Sequence, residues 1–400
     1  MDYTIISEGK VKLMIPRPEL FLRPDGVYEP SWAPVFYNPR ATLSRDLSVL
    51  VLASLVKARG LDSLMVADVL AGTGVRGIRY VIEVPNVGTC VLNDADPKAV
   101  EIIKKNVEIN DIVEKVHIYL EDANILLYRL KRNRMKLDYI DIDPYGSPVP
   151  FVRSALWSVR RGGFIGLTAT DVATLSGSKP LAGARKYDCR LIKTDFSYEV
   201  GLRILLGYIA RRAAEMDRYI EPIIGFYHDY YYRVVIGVNR GALKAHEVIK
   251  ENIGFIYYCI NCLFRTYSRD IEAGVLRCPS CGSKTELIGP LWVGDIIDPN
   301  IIKNAIDDVN KDYNYLSTRN DILKLLSLIK DEAKIPYYYN INVIASKYKL
   351  NMPKIIDIIN YLKDLGYEVS RTHFTPVGIK TNADLDEILK AIKHITHEGT

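Results

Sequence analysis

The sequence predicts an α/β fold in which a doubly wound parallel sheet is followed by a smaller C-terminal α+β region, and three observations support this prediction. Apolar runs typical of buried strands alternate with segments of helical periodicity. Several of these runs end at an acidic residue. In such sheets, ligands bind at the edge formed by the carboxyl ends of the strands. Two closely spaced cysteine pairs and a mainly helical segment come after the last run.

Five predicted strands alternate with helices and therefore build the parallel sheet. In chain order they cover residues 64–70, 90–94, 116–120, the run from Leu137 to the turn at Asp143, and 163–169. Apolar residues at helical spacing predict the main helices over 42–58, 97–110, 149–159 and 198–214. Two adjacent strand patterns, 220–227 and 230–239, are expected to complete the sheet as an antiparallel pair. The basic, glycine-containing segment 171–196 is expected to form a substrate loop.

Composition indicates an ordinary soluble chain without a membrane span. Its 400 residues are 48% hydrophobic and 25% charged, and they contain no run of about 18 uncharged apolar residues. Residues 1–12 are polar and mixed in charge, unlike a signal peptide, so we expect a cytoplasmic protein. The net charge of +5 permits a nucleic-acid partner without requiring one. Nothing in the sequence indicates an obligate protein partner.

Two Cys-x-x-Cys pairs predict a metal site. The pairs are Cys259 with Cys262 and Cys278 with Cys281, separated by 15 residues, which matches the spacing of a zinc ribbon. In a cytosolic chain this pairing favours metal binding over disulfides. Four thiolates complete a tetrahedron around zinc and leave no open position, so the expected zinc is structural.

The C-terminal part has the pattern of a winged helix. Helical periodicity covers 320–332, 341–348 and 353–365, a hairpin pattern follows at 366–380, and a last helix is predicted over 384–394. Arg371, His373 and Lys380 make the hairpin basic. Either this unit contacts RNA through them or it only packs on neighbouring parts of the protein, and the sequence leaves both possibilities open.

These patterns divide the chain into four expected parts. They are an N-terminal extension and substrate lid at 1–40, the main α/β domain at 41–241, a zinc-ribbon segment at 242–300 and a winged-helix-like C-terminal domain at 301–400. The lid is expected because two aromatic residues and an Asn-Pro turn at 36–39 precede the first helix of the main domain.

The loop after the first sheet strand indicates a nucleotide-like cofactor. Gly72 and Gly74 open a Gly-x-Gly-x-x-Gly motif, which nicotinamide enzymes and S-adenosylmethionine enzymes share. A nicotinamide enzyme needs a pyrophosphate on the following helix and a hydride acceptor site in a separate domain. S-adenosylmethionine explains more residues, since its ammonium, ribose and adenine all find candidate partners at strand ends. In that order, the candidates are Asp68, Asp94, and Asp122 with the backbone of Ala123.

The turn Asp143-Pro144-Tyr145-Gly146 at the end of the central strand suits a flat base that carries an exocyclic amine. The ring of Tyr145 would stack on the base, while Asp143 and a nearby carbonyl would accept the amine hydrogens. The amine lone pair would then face an electrophile. In the alternative interpretation, Asp143 caps the next helix and Tyr145 packs in the core.

Several motifs follow one another along almost the whole chain. They are Phe36-Tyr-Asn-Pro39, Arg45-Asp46, Asp68-Val-Leu-Ala-Gly-Thr-Gly-Val-Arg-Gly-Ile-Arg79, Asn93-Asp94, Asp122-Ala123, Asp143-Pro-Tyr-Gly-Ser-Pro148, Thr168-Ala-Thr-Asp171 and Arg371-Thr-His-Phe-Thr-Pro-Val-Gly-Ile-Lys-Thr381. Together they resemble the tRNA (guanine-N2)-dimethyltransferases of the Trm1 family. The resemblance implies a Rossmann-like S-adenosylmethionine-dependent methyltransferase sheet. It also implies a tRNA substrate that is methylated twice on the N2 amine of the guanine at position 26.

The resemblance also implies roles for single residues. The family's cofactor contacts fall on Arg45, Arg76, Asp94, Asp122 and Ala123. Phe36 and Tyr145 match the aromatic residues that hold the base, and Asp143 matches the catalytic carboxylate. We therefore hypothesise direct in-line transfer, in which Asp143 orients the amine and accepts its proton.

Two alternative functions are also compatible with the sequence. The enzyme could methylate another exocyclic amine, such as the N6 amine of adenine in DNA or RNA. Alternatively, the zinc ribbon and winged helix could bind nucleic acid without catalysis, with the sheet as a scaffold. A cytosine-C5 methyltransferase is less compatible, since neither Cys90 nor Cys189 lies in a convincing catalytic turn.

Overall fold

The computed structural model describes residues 2–271 and 274–398, with side chains up to residue 396. Met1 and residues 399–400, which belong to the first and last predicted parts, lie outside the described residues. The chain divides into two compact units. The first contains Met1–Thr168, Val235–Asn239 and Asp298–Leu326, and the second contains Ala169–Val234, Arg240–Ile297 and Ser327–Thr400.

Strands and helices are numbered here in chain order. The strands of the described residues are β1 (Tyr3–Glu8), β2 (Val11–Pro16), β3 (Leu64–Asp68), β4 (Val87–Asp94), β5 (Val116–Leu120), β6 (Leu137–Ile142), β7 (Val159–Ala169), β8 (Arg218–His228), β9 (Tyr231–Arg240), β10 (Ile253–Tyr258), β11 (Arg265–Ser268), β12 (Glu286–Trp292), β13 (Tyr339–Asn340), β14 (Val369–Arg371) and β15 (Gly378–Thr381). The α-helices are α1 (Thr42–Arg59), α2 (Val75–Glu83), α3 (Pro97–Ile109), α4 (Ala123–Arg132), α5 (Val149–Ser158), α6 (Val172–Leu175), α7 (Pro180–Tyr187), α8 (Ser197–Ala214), α9 (Ala242–Asn252), α10 (Pro299–Lys311), α11 (Arg319–Lys330), α12 (Ile341–Tyr348), α13 (Ile355–Asp364) and α14 (Leu385–Glu398). Short 3-10 helices cover Pro18–Leu20, Pro30–Trp32, Pro39–Ala41 and Val113–Lys115.

The largest sheet has seven strands in the order β5-β4-β3-β6-β7-β9-β8. Neighbouring strands from β5 to β7 pair in parallel, and helices α2 to α5 connect them along the chain. This confirms the predicted parallel α/β sheet. The strand order reverses between β3 and β6, so the carboxyl ends of these two strands border the crevice in which such sheets bind ligands.

Strand β6 lies in the middle of the sheet. Its side chains tolerate burial there because almost all of them are apolar or hydrogen-bonded. Leu137, Tyr139 and Ile140 are at most 1% exposed. In the parallel register, Asp68 of β3 stands opposite Asp141 of β6. Two acidic strand ends are therefore brought side by side in the interior, where each needs a compensating partner.

The structure also matches the predicted antiparallel pair at the end of this sheet. Segments 220–227 and 230–239 become β8 and β9, which are joined by a turn at residues 229–230. A two-residue connection of this kind joins antiparallel strands in a hairpin.

The loop predicted at 171–196 is wrong in part, because that segment contains helices α6 and α7. Helix α7 has Pro180 at its start, where the missing proline N–H is not needed. Inside it, a Cβ on Gly183 would lie 2.7 Å from a side-chain carbon of Leu191. The proline and glycine that indicated a loop are instead a helix start and a close packing contact.

Two antiparallel sheets, β11-β10-β12 and β13-β15-β14, lie in the second unit. The first of them surrounds the cysteine turns and was not predicted. In the second, β14 and β15 occupy the predicted C-terminal hairpin, and α12, α13 and α14 fall within two residues of the starts predicted from helical periodicity. The helices and the hairpin predicted for the C-terminal part are therefore present, and strand β13 is an additional element.

The longest described helices, α1 and α8, have 18 residues each and bury charged side chains. Arg45 and Asp46 are buried in α1, and Glu199 and Arg203 are buried in α8. Among the described residues, every helix is too short or too polar to cross a membrane.

Candidate active site

Two glycines shape the loop that follows β3. Gly72 and Gly74 have φ angles of +55° and +80°, in the left-handed region that favours glycine. A Cβ on Gly72 would lie 3.0 Å from the carbonyl oxygen of Phe36. The predicted cofactor loop is thus a tight turn over which the N-terminal segment passes closely.

A cleft opens beside this loop. Six predicted site residues line it, namely Phe36, Arg45, Asp68, Gly72, Arg76 and Asp143. They come from the N-terminal segment, from α1, from the end of β3, from the loop after it, from the start of α2 and from the turn after β6. The fold therefore gathers the predicted cofactor loop, the predicted catalytic carboxylate and one predicted aromatic residue in one place.

Arg76, near the start of α2, joins the carboxylates at the end of β6. Its Nη2 donates to Asp143 Oδ2 at 2.7 Å, and its Nε lies 3.5 Å from Asp141 Oδ1. Its Nη1 donates to Ser48 Oγ at 2.9 Å. Burial alone would lower the pKa of Arg76, but the Asp141 and Asp143 carboxylates raise it above its ordinary value. Arg76 is therefore a permanent cation that holds Asp143 in place.

Asp68 ends β3 in the wall of the cleft and is 2% exposed. Its Oδ2 accepts a hydrogen bond from the backbone N–H of Gly77 at 3.1 Å. Burial raises the pKa of Asp68 to about 7, repulsion from Asp141 adds to the effect, and Arg76 opposes it. A cationic ligand would stabilise this carboxylate strongly.

Asp94 ends β4 and ties that strand to the glycine loop, since its Oδ2 accepts the Gly72 N–H at 2.8 Å. At the end of β5, the neighbouring strand, Asp122 caps α4 by accepting two of its backbone N–H groups. Ala123 is the buried first residue of α4. These three predicted cofactor residues lie at or just after the carboxyl ends of adjacent strands, outside the lining of the cleft, and Asp94 contacts a lining residue, Gly72.

Phe36 and Tyr145 form an aromatic pair. Their ring centroids are 4.5 Å apart and their planes are inclined by 70°, an edge-to-face arrangement. Tyr145 is 64% exposed, and the N-cap residue of the following helix is Pro148. The alternative interpretation, with Tyr145 in the core and Asp143 as the helix cap, does not fit these facts.

Arg45 reaches the cleft from α1, but its main partner is a residue that the sequence analysis missed. Glu8, the last residue of β1, accepts hydrogen bonds from Arg45 Nε at 2.7 Å and Nη2 at 2.6 Å. Both side chains are buried. The sequence signal was an acidic residue directly before the Gly9-Lys10 turn, and nothing in that pattern pointed to the cleft.

The four predicted metal ligands converge in the second unit. The Sγ atoms of Cys259, Cys262, Cys278 and Cys281 lie within 4.8 Å of one another. One pair follows β10 and the other precedes β12, and Cys281 is the exposed member of the set. The arrangement offers four sulfur ligands to one metal ion.

Two of the three basic residues of the C-terminal hairpin follow the packing alternative. Lys380 Nζ is buried, 2.7 Å from Glu199 Oε1 and 3.4 Å from Glu332 Oε2. The imidazole of His373 is buried 2.5 Å from Glu332. Lys380 and His373 are therefore used inside the fold, whereas Arg371 is exposed and available to a partner.

Comparisons with known proteins identify a matching family model, similar sequences and a similar solved structure. Residues 13–393 match the family model described as N2,N2-dimethylguanosine tRNA methyltransferase. The chain is 42% identical over 392 residues to the tRNA (guanine(26)-N(2))-dimethyltransferase of Saccharolobus solfataricus, with 98% of each chain covered. It is 39% identical over 401 residues to the protein of that name from Sulfolobus acidocaldarius, with 100% of each covered. The solved structure of Trm1 from Pyrococcus horikoshii with S-adenosyl-L-methionine has a TM-score of 0.85 and 34% identity, covering 97% of this chain and 99% of that one.

Proposed function

Because this chain belongs to the N2,N2-dimethylguanosine tRNA methyltransferase family, we propose that its cleft brings S-adenosylmethionine together with the guanine at position 26 of tRNA. The chain is an S-adenosylmethionine-dependent methyltransferase of the N2 amine of tRNA guanine. The sheet, the methyl donor and the substrate class predicted from the sequence are thereby confirmed. Adenine-N6 methylation and non-catalytic nucleic-acid binding lose their support.

The ends of β3, β4 and β5 suit the successive parts of S-adenosylmethionine, which when bound supplies an electrophilic methyl group. Asp68 would hold the ammonium, as its buried carboxyl requires a cation to be stable in the ionised form. Asp94 would accept hydrogen bonds from the ribose hydroxyls. Asp122 and the backbone of Ala123 would flank the adenine. The two loop glycines would let the backbone approach the cofactor closely.

Arg45 and Arg76 are the two cations in the lining of the cleft. Each already has a carboxylate partner, Glu8 for the first and Asp143 for the second. We propose that each offers an N–H group to the cofactor carboxylate while its partner acid keeps the guanidinium oriented.

Phe36 and Tyr145 would hold the target base by stacking after it leaves the tRNA stack, which offsets the few kcal/mol that unstacking costs. Asp143 would accept a hydrogen bond from the N2 amine and take its proton as the nitrogen attacks the methyl group. Arg76 donates to Asp143 Oδ2 at 2.7 Å and so fixes the orientation of the accepting carboxylate. One N–H remains after the first methylation, so the same carboxylate can serve the second.

The observation that carries this mechanism is the 2.7 Å contact between Arg76 Nη2 and Asp143 Oδ2 within the cleft that Asp68 and Gly72 also line. It is tested by methyl transfer from labelled S-adenosylmethionine into two tRNA transcripts, one with guanine and one with adenine at position 26. We expect N2-methylated guanosine in the first transcript alone. Equal labelling of both transcripts would reject position 26, and absence of label from both would reject the proposed activity.

We also propose that the four cysteines hold a structural zinc ion in a zinc ribbon. Zn–S bonds of about 2.3 Å in a tetrahedron place the sulfur atoms about 3.8 Å apart. The Sγ distances of 3.5 Å between Cys259 and Cys281 and 3.3 Å between Cys262 and Cys278 are close to that value. Replacing Cys259 and Cys278 by Ser should remove zinc, as measured by elemental analysis, while S-adenosylmethionine still binds.

We propose, finally, that the C-terminal part is a winged helix. Its elements follow in the order helix α11, strand β13, helices α12 and α13, and strands β14 and β15, which supports this assignment. Arg371, at the end of β14, remains as the proposed RNA contact. The division into a lid at 1–40, a methyltransferase domain at 41–241, a zinc-ribbon segment at 242–300 and a winged-helix-like domain at 301–400 also stays a proposal.

A further inference from the structure

We infer that Glu8 is a positioning residue for the methyl-transfer site: the N-terminal hairpin inserts it behind the cleft, where it orients Arg45 and Tyr37 toward the cofactor. The inference rests on the proposed function, since it assumes that this cleft binds S-adenosylmethionine. Glu8 itself does not line the cleft, whereas Arg45 and Tyr37 do.

The Glu8 carboxylate receives four hydrogen bonds from three buried side chains. Oε1 accepts from Arg45 Nε at 2.7 Å and from Arg79 Nη1 at 2.9 Å. Oε2 accepts from Arg45 Nη2 at 2.6 Å and from the Tyr37 hydroxyl at 2.8 Å. Although burial opposes it, the charge of Arg45 lowers the pKa of Glu8 to about 2. A carboxylate with all these partners is ionised and has one orientation.

These bonds leave Arg45 little freedom. Besides its two bonds with Glu8, its Nη1 donates to the Asn38 carbonyl oxygen at 3.0 Å and its Nη2 reaches Thr42 Oγ1 at 3.2 Å. Together these contacts use four of the five N–H groups of the guanidinium. The fifth, on Nη1, is the one available to a ligand in the cleft. Arg45 therefore acts as a directed hydrogen-bond donor whose charge is already balanced by Glu8.

The hairpin that carries Glu8 is itself fixed at its tip. Gly9 has a φ of +57°, and a Cβ there would lie 2.4 Å from Glu83 Oε1 and 2.7 Å from Arg79 Nη2. The Lys10 N–H donates to Glu83 Oε1 at 3.3 Å. Arg79 and Glu83 form a buried ion pair at 2.7 Å. Residues 9 and 10 at the tip thus pack against the Arg79–Glu83 pair, whereas the Glu8 carboxylate is held by its own bonds to Tyr37, Arg45 and Arg79.

The same network supplies a matched control. Glu83 is buried, binds Arg79 and accepts the Tyr315 hydroxyl at 2.8 Å, but its described partners lie outside the cleft lining. Glu8→Gln and Glu83→Gln each remove one buried negative charge from the network around Arg79. Only Glu8→Gln also places an amide donor against the donors of Arg45 and Tyr37.

The test compares the full-length wild type with both variants. It measures the affinity for S-adenosylmethionine by calorimetry, kcat at saturating cofactor, and the melting temperature. We expect Glu8→Gln to raise Kd at least tenfold, and kcat at saturating cofactor to stay within threefold of wild type. Both variants should lower the melting temperature by similar amounts. Glu83→Gln should keep Kd within twofold of wild type. Equal effects of the two variants on Kd would show that Glu8 is only structural and would overturn the inference.

A milder variant decides the matter if Glu8→Gln fails to fold. Tyr37→Phe removes one hydroxyl donor to Glu8 and keeps the ring, so we expect Kd to rise about threefold with an almost unchanged melting temperature. An unchanged Kd for Tyr37→Phe would then overturn the inference. A wild-type protein that does not bind S-adenosylmethionine would instead reject the proposed function of the cleft, so the two failures are distinguishable.

Discussion

At the scale of single residues, Asp143 has the most specific role. It is within hydrogen-bond distance of a permanent cation, Arg76, and lines the cleft. Asp143→Asn keeps the shape of the side chain but cannot accept the amine proton, so we predict a loss in kcat of about 100-fold or more. The Kd of S-adenosylmethionine should change by less than about fivefold, because the variant keeps a hydrogen-bond acceptor for Arg76. Single-turnover methyl transfer and calorimetry measure these two quantities.

Asp138, on the strand β6 that precedes the Asp143 turn, provides the control for that experiment. Its carboxylate binds the Met65 N–H and Arg160, and it is absent from the lining of the cleft. Asp138→Asn should therefore retain kcat close to the wild-type value. If Asp143→Asn also retained kcat within tenfold of wild type, Asp143 would have a supporting role and another group would accept the proton.

The raised pKa of Asp68 leads us to predict that cofactor binding depends on pH. Its pKa of about 7, against 3.8 for an ordinary aspartate, means that the free protein is mostly protonated at this group near pH 6. Asp141 and Asp143 disfavour its charge and Arg76 favours it, but a bound ammonium would favour it further. Binding should therefore release a proton, and affinity should rise toward pH 7 by at most about tenfold per pH unit. Calorimetry in buffers of different ionisation enthalpy detects that proton.

The effect of Asp68 on folding has the opposite sign. Since the folded chain holds a proton that the unfolded chain loses above its ordinary pKa of 3.8, the contribution of Asp68 to stability falls as the pH rises from about 4 to 7. Asp68→Asn should abolish both the proton release and this decrease. Wild-type affinity that does not vary between about pH 5 and 8 would contradict the assignment of Asp68 to the ammonium.

At the scale of elements, the approach of α2 to β4 depends on Gly77. A Cβ on this residue would lie 2.2 Å from Leu92 Cδ2 and 3.1 Å from Cys90 Sγ, and both of those side chains are fully buried. Alanine gains about 1 kcal/mol in helix propensity, but overpacking costs about 1–3 kcal/mol. We predict that Gly77→Ala lowers the free energy of unfolding by up to about 2 kcal/mol, as measured by denaturant titration.

Gly77→Ala should also weaken cofactor binding, because the backbone N–H of Gly77, which donates a hydrogen bond to Asp68, would move. Gly241→Ala is the control, since its nearest neighbours would lie 3.8 and 3.9 Å from the added carbon. It should change stability by no more than about 0.5 kcal/mol. A stable Gly77→Ala variant with wild-type affinity would show that α2 can shift without disturbing the cleft.

At the scale of the whole molecule, contacts between distant parts of the chain can give a residue a role that its sequence context does not indicate. Lys380 belongs to a basic hairpin, but it is buried with Glu199 and Glu332 in the second unit. Lys380→Ala would leave two buried carboxylates without this cation, so we predict destabilisation by about 3–5 kcal/mol. Arg371→Ala, on the exposed end of β14, should leave stability almost unchanged and weaken tRNA binding. Thermal unfolding and a salt-dependent tRNA titration separate the two variants, and unaltered stability of Lys380→Ala would contradict the buried network.

The elements of the fold could be predicted because they depend on local patterns. The alternation of β6 and the helical spacing of α1 are visible within a few residues, and the parallel sheet follows from their alternation. Helix α7 was missed because Pro180 and Gly183 carry the same local signal in a loop and in this helix. Local patterns therefore predict where the chain is regular, but not every packing contact that makes it so.

The sequence by itself determined the α/β fold, the methyl-donor class and the acids at the strand ends, because strand ends in a parallel sheet meet at one edge whatever the rest of the chain does. Tertiary structure alone decided which charges neutralise which. Glu8 and Arg45 are 37 residues apart in the chain, Arg76 and Asp143 are 67 apart, and Glu199 and Lys380 are 181 apart. A buried ion pair depends on a distance of a few ångströms between groups that folding brings together, and no local pattern encodes that distance.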